Sequence, residues 1–250
     1  MPFQDLPDRV AEIRQRIQAA KVRGGHGQDV RIVAVTKTHG PDAVLAAMAA
    51  GVRDIGENKV QEALEKQEAL AARAAMTGGI PAITARATPP NVMAAGLQWH
   101  LIGHLQRNKV KHLGRFALFH AVDSGRLADA IDQFAVAQGR VVDALLEVNI
   151  SGEESKGGFS LADLPGEAAR LAGRSGLRVV GVMTMAPFGA DEVTLRSVFS
   201  GARNARQVVA AAGHPAGELS MGMSGDYEIA VEEGATMVRL GTVLFGERGG

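Results

Sequence analysis

Two hydrophobic periods take turns along this chain. Between residues 6 and 20, apolar side chains fall three or four apart at Leu6, Val10, Ile13 and Ile17, which predicts an amphipathic leading helix. Arg31-Ile-Val-Ala-Val-Thr-Lys37 is then a continuous run of β-branched and small apolar residues, the pattern of a strand buried on both faces. A helix from Pro41 to Gly51 follows, with proline suited to a first turn and glycine to a stop. Strand 54–57 leads to a long helix through Val60, Leu64 and Leu70, and strand 97–103 to a helix from Gln106 to Leu113. Strand 118–123 feeds a helix starting at Ser124, a good N-cap. Strands 144–150 and 179–185 come next, then a helix over 191–212, strand 218–221, a short helix 227–233 and strand 237–241.

Alternating βα units predict a parallel sheet, and eight of them suit a closed (β/α)8 TIM barrel better than the alternative, a doubly wound open sheet. The units consume the chain, so one domain over residues 1–250 with an extra N-terminal helix is expected. The pattern breaks only at 77–96, which carries Gly78-Gly79, Pro81 and Pro89-Pro90. It reads as a mobile loop on the bottom face, away from the strand ends where barrels place chemistry.

Composition narrows the partners. Lys+Arg and Asp+Glu both number 27, so neither nucleic acid nor an anionic membrane is expected as a partner. An aromatic content of 4% offers no stacking platform for bases. The absence of cysteine excludes disulfides, thiolate metal sites and a cysteine nucleophile. Met1 to Asp8 lacks a basic region followed by an apolar core, and no apolar stretch approaches the roughly 18 residues of a membrane span. A cytoplasmic protein is expected.

The carboxyl ends of the predicted strands carry Lys37-Thr38-His39, Glu57-Asn58, Gly103-His104, Asp123-Ser124, Asn149, Met185-Ala-Pro187, Met221 to Asp226, and Arg239 to Thr242. Desolvation at such a place turns a lysine amine such as Lys37 into a nucleophile able to form a Schiff base with an aldehyde. Ser220-Met-Gly-Met-Ser-Gly-Asp226 and Arg239-Leu-Gly-Thr-Val243 follow strands seven and eight, where many barrels bind phosphate through converging backbone N–H groups. Ser224 and Thr242 add hydroxyls there and Arg239 adds charge. Taken singly, Lys37 reads equally well as a solvated strand-end amine; for 220–226 a turn, and for Arg239 a pairing with a barrel carboxylate such as Glu57, are the lesser alternatives. Gly222-Met-Ser224 fails as a nucleophile elbow because Asp226 stands where glycine should. His100 and His104 straddle a strand end, which is no helical zinc pair, so core or hydrogen-bonding histidines are expected. Met183 and Met185 are expected to pack in the barrel or line its mouth.

Together these segments resemble the pyridoxal phosphate homeostasis proteins, also called the proline synthase co-transcribed family. The likeness rests on Val33-Ala-Val-Thr-Lys37, Gly56-Glu-Asn-Lys-Val-Gln-Glu62, Trp99-His-Leu-Ile-Gly-His-Leu-Gln-Arg-Asn-Lys109, Glu154-Ser-Lys-Gly-Gly158, Gly181-Val-Met-Thr-Met-Ala-Pro187, Leu219-Ser-Met-Gly-Met-Ser-Gly-Asp226 and Val238-Arg-Leu-Gly-Thr242. They span nearly the whole chain in order. Leu101 departs from the phenylalanine usual in the family, and the 77–96 stretch is longer. The resemblance implies a barrel similar to that of alanine racemases, with pyridoxal 5′-phosphate (PLP) held as a Schiff base on Lys37. It implies that Ser224, Arg239, Gly241 and Thr242 bind the phosphate, with Asn58 and Met221 at the pocket wall.

It also implies a PLP-binding role without defined catalytic activity: binding, buffering and delivery to PLP-dependent apo-enzymes, by a monomer. The alternative is a PLP-dependent racemase or lyase; a Schiff-base aldolase fits the motifs less well. A related racemase needs a second acid/base, there a tyrosine from a further domain. The only tyrosine here, Tyr227, falls on the phosphate side. His39 or His104 would have to serve instead. The roles of Lys156 and of the Trp99–Lys109 segment are left open.

Overall fold

Strands β1 (Arg31–Val35), β2 (Asp54–Glu57), β3 (Gln98–Leu101), β4 (Leu118–Val122), β5 (Val142–Glu147), β6 (Leu177–Met183), β7 (Glu218–Ser220) and β8 (Met237–Leu240) close in chain order into a parallel barrel. This computed structural model describes residues 3–76, 96–153 and 157–246. The expected bottom-face loop, but for Gly96, and Lys156 lie outside the described residues. The seam pairs β1 with β8, opposing Val33 to Arg239.

Helices α1 (Leu6–Gly24), α2 (Pro41–Ala49), α3 (Val60–Met76), α4 (Gly125–Ala137), α5 (Leu164–Leu171), α6 (Glu192–Ala211), α7 (Tyr227–Glu232) and α8 (Thr242–Phe245) surround it. Ser124 and Asp191 stand at the N-caps of α4 and α6, and the Asp191 side chain accepts from the Thr194 N–H at 2.8 Å. The leading helix turns Leu6, Val10, Ile13, Ile17 and Ala20 inward. It is tied to α7 by Arg16–Glu228 and Arg23–Glu232 ion pairs, both 2.5 Å. None of the helices among the described residues is long and apolar enough to cross a membrane.

Three differences from the sequence reading have local causes. Segment 107–115 is a 3₁₀ helix rather than an α-helix; it buries only Val110 and Leu113, too narrow a stripe to anchor full turns. Helix α5 was not expected, because Pro165 and Gly166 in its first turn hide an eight-residue period. Strands β5 and β6 end earlier than the apolar runs suggest: beyond β5, Val148 leaves the ladder to bridge Phe159, and beyond β6, Met185 lines the barrel mouth.

Candidate functional site

The segment after β1 is shaped by buried charge. Thr36 is fully buried, and its hydroxyl donates to the Glu57 carboxylate at the end of β2. Lys66 reaches in from α3 and donates to both Glu57 Oε1 and the Thr36 carbonyl, each at 2.6 Å. Burial pushes the Glu57 carboxyl above the usual carboxylate range, against the hydrogen bonds from Lys66 and Thr36. The chain then turns sharply: Thr38 sits at φ 69°, a strained left-handed conformation for a β-branched residue. The His39 N–H donates to the Thr36 carbonyl at 3.0 Å, and the His39 ring packs against Phe3 and Phe245. Lys37, between these anchors, lines a cavity of about 810 Å³ at the carboxyl end of the barrel.

The opposite side of the seam supplies donors. Ser224 Oγ accepts from the N–H groups of Gly241 and Val243, both at 3.3 Å, so a hydroxyl and two amides converge. Gly222 makes this loop possible: at φ 90° it is left-handed, and a Cβ there would lie 2.6 Å from the Ala230 Cβ. Asp226 accepts from the Met223 N–H at 2.5 Å and closes the turn. Across the mouth, Gly103 lets the β3 end approach the Asn58 backbone, since a Cβ would stand 2.4 Å from its carbonyl oxygen.

Arg239 forms the floor. It is buried, and it donates to Ser220 Oγ at 2.7 Å and to the Thr184 carbonyl at 3.0 Å. Burial pushes its guanidinium down to about 10, with Asp226 and Glu147 opposing, so it remains a cation at neutral pH. The expected alternative partner, Glu57, is held by Lys66 instead. On the wall formed by β4 and β5, Asp123 accepts His104 at 2.7 Å, and burial, with Asp123 nearby, raises the Glu147 carboxyl.

Lys37, Asn58, Ser224, Arg239, Gly241 and Thr242 therefore share one cavity. Met221 does not line it: its side chain is fully buried in the core. The two-residue period that turns Ser220 into the barrel turns Met221 away. Met183 and Met185 both reach the cavity wall, Met183 buried and Met185 partly exposed. Sequence reasoning missed Lys66, although its place between Ala63 and Leu70 on the buried stripe of α3 was a signal. Among the described residues, no group of three or more His, Cys, Asp or Glu could hold a metal ion. An amine, converging N–H and O–H donors, and a fixed cation in one concave site suit an anion that also bears a carbonyl.

Comparison with known proteins places this geometry. Residues 9–249 match the family of the alanine racemase N-terminal domain. A pyridoxal phosphate homeostasis protein of Aquifex aeolicus is 37% identical over 244 residues, covering 96% of this chain and 97% of the relative. The solved structure of an unknown protein from Bifidobacterium adolescentis superposes with a TM-score of 0.83 at 39% identity, covering 97% of this chain and 95% of that one. PipY of Synechococcus elongatus PCC7942, solved with PLP bound, superposes with a TM-score of 0.77 at 34% identity, covering 96% of this chain and all of the other. With near-complete coverage in both directions, the chain belongs to the pyridoxal phosphate homeostasis proteins, within the alanine racemase N-terminal domain family.

Proposed function

We propose that this chain binds PLP reversibly for intracellular homeostasis, with Lys37 Nζ bonded to the aldehyde carbon of the cofactor, and that it buffers and delivers PLP without a defined catalytic activity. The observation that carries the reading is the shared cavity of Lys37 and the Ser224–Gly241–Val243 donor cluster. The naming of the relatives and the PLP in PipY support it. The donor set fits a phosphate: the amides of Gly241 and Val243 now share one serine oxygen at the long distance of 3.3 Å, so a stronger acceptor would draw them. When bound, PLP supplies an aldehyde that bonds amines reversibly and a ring that withdraws electrons.

The chain's own residues do the holding. Ser224, Gly241 and Thr242 orient the phosphate end, while Asn58 stands by Lys37 at the wall. Arg239 adds to the phosphate grip a fixed positive charge on the floor, where Ser220 and Thr184 hold it. Phe188 is fully exposed and Met185 partly exposed at the mouth, which leaves the cavity open for exchange. In the same reading the whole chain is one PLP-binding domain, a cytoplasmic monomer that passes its cargo to PLP-dependent apo-enzymes.

The test is PLP titration of the purified protein, followed by borohydride reduction and peptide mass spectrometry. A visible absorption band and a phosphopyridoxyl mass on Lys37 are expected, both lost in Lys37→Ala. A wild-type protein that shows neither with excess PLP defeats the reading. Racemase or lyase chemistry is the alternative, and the His104–Asp123 pair lining the same cavity is the observation on its side. Steady turnover of alanine or serine, abolished by both Lys37→Ala and His104→Ala, would install it.

A further inference from the structure

The barrel interior holds a polar chain that cofactor binding leaves unused. It begins at Asp54, the first residue of β2, whose Oδ1 lies 2.9 Å from His100 Nε2. His100 Nδ1 lies 2.8 Å from His120 Nε2, and His120 Nδ1 lies 2.9 Å from Ser220 Oγ. Arg239 Nη1 closes the series on Ser220 Oγ at 2.7 Å. His100, His120 and Ser220 are buried. Asp54 opens on a cleft of about 490 Å³ at the bottom of the barrel, walled by Arg14, Lys21, Arg31 and Arg53. Arg239 lines the upper cavity. One hydrogen-bonded series therefore runs from end to end, and His100 comes from the Trp99–Lys109 segment whose role the sequence left open.

Only one direction of donation satisfies every atom with both rings neutral. Arg239 always donates, so Ser220 accepts from it and turns its own proton toward His120 Nδ1. His120 then carries its proton on Nε2 and donates to His100 Nδ1, and His100 donates from Nε2 to Asp54. The reverse order would set a bare nitrogen of His100 against a carboxylate. Burial holds His120 well below the ordinary histidine range, and His100, Arg239 and Arg31 push the same way. The charged groups around the series are few. Arg31 on β1 donates to Asp54 at 3.4 Å and to Glu218 at 2.5 Å, and Asp226 and Glu147 oppose the charge of Arg239.

We propose that Asp54, His100, His120 and Ser220 form a buried relay that positions Arg239, so that a change in the bottom cleft alters how the cavity floor holds its ligand. They are positioning residues, since none of them lines the upper cavity. The ligand in this proposal rests on the PLP reading; the relay itself does not.

Two measurements test it. Histidine ¹⁵N NMR of the ligand-free protein comes first, with assignment by His100→Gln and His120→Gln among the 7 histidines. Both rings are expected to carry their proton on Nε2, and His120 to stay neutral at about pH 7. A proton on Nδ1 of either ring, or a charged His120 at about pH 7, overturns the relay whether or not PLP binds. PLP titration of Asp54→Asn comes second: affinity about 3- to 30-fold weaker is expected, with a moved absorption maximum. A merely structural loss would lower occupancy and leave the maximum in place, and that result overturns the proposal, as does affinity within about twofold of wild type. If Asp54→Asn does not fold, Ser220→Ala cuts the same series beside Arg239 and is read by the same criteria.

Discussion

Replacing Lys66 by methionine keeps the volume of the side chain and removes its charge. In wild type the Glu57 carboxylate has no exposed surface, and the Lys66 side chain is only 8% exposed. Removing one partner of such a pair leaves a buried charge uncompensated, at a cost of about 3–5 kcal/mol. In a chain of 250 residues, about 4 kcal/mol corresponds to a fall of about 8–16 °C in Tm. The loss should depend on pH. Burial already raises the Glu57 carboxyl, and Lys66 lowers it, so the variant raises it further. A carboxyl whose folded-state pKa exceeds its unfolded value binds its proton more tightly when folded. Stability therefore falls as pH rises between the two values, by at most about 1.4 kcal/mol per pH unit. Urea unfolding followed by circular dichroism should show Lys66→Met much closer to wild type at about pH 5 than at about pH 8. Glu57→Gln added to Lys66→Met should recover most of the deficit. A deficit of equal size at both pH values, or a double variant no better than the single one, refutes the buried-pair argument.

Ser224→Ala removes the hydroxyl that gathers the Gly241 and Val243 amides, and a hydrogen bond to a charged group contributes about 1.5–3 kcal/mol. PLP affinity measured by fluorescence titration should fall about 10- to 100-fold while Tm without ligand stays near wild type. Gly222→Ala must relieve a 2.6 Å contact with Ala230 and a φ of 90°, so thermal unfolding should show a loss of about 1–3 kcal/mol, with weaker PLP binding as the Ser224 loop shifts.

Alternation of period made the barrel legible, because each parallel strand is apolar on both faces and each helix on one. Lys37 stood out because it ends the clearest such run. Met221 shows the limit of that reading: a place at a strand end does not say which way the side chain turns, and one residue of register separates wall from core. The relay was hidden for a different reason. Its partners are 46, 20, 100 and 19 residues apart, so no local spacing announces them, and only closure of the barrel brings them together. The expectation of hydrogen-bonding histidines holds for His100, but the bond itself is a tertiary fact. Lys66 could have been read, since a lysine on an apolar stripe needs a buried partner.

The pairing of β1 with β8 has a consequence for assembly. Lys37 follows the first strand, while Arg239 lies on the last and Gly241 and Thr242 follow it, so these two groups of cavity residues are brought together where the ends of the sheet join. On the proposed binding mode, a fragment lacking either strand should fail to hold a phosphorylated aldehyde at both of its ends. Bound in that mode, the ligand would act as a clasp: it would resist opening at the seam by RT ln(1 + [L]/Kd), and its capture would report that the last strand has docked. Hydrogen exchange in β1 and β8 should then slow on loading more than exchange in β4 and β5, on the far side of the ring.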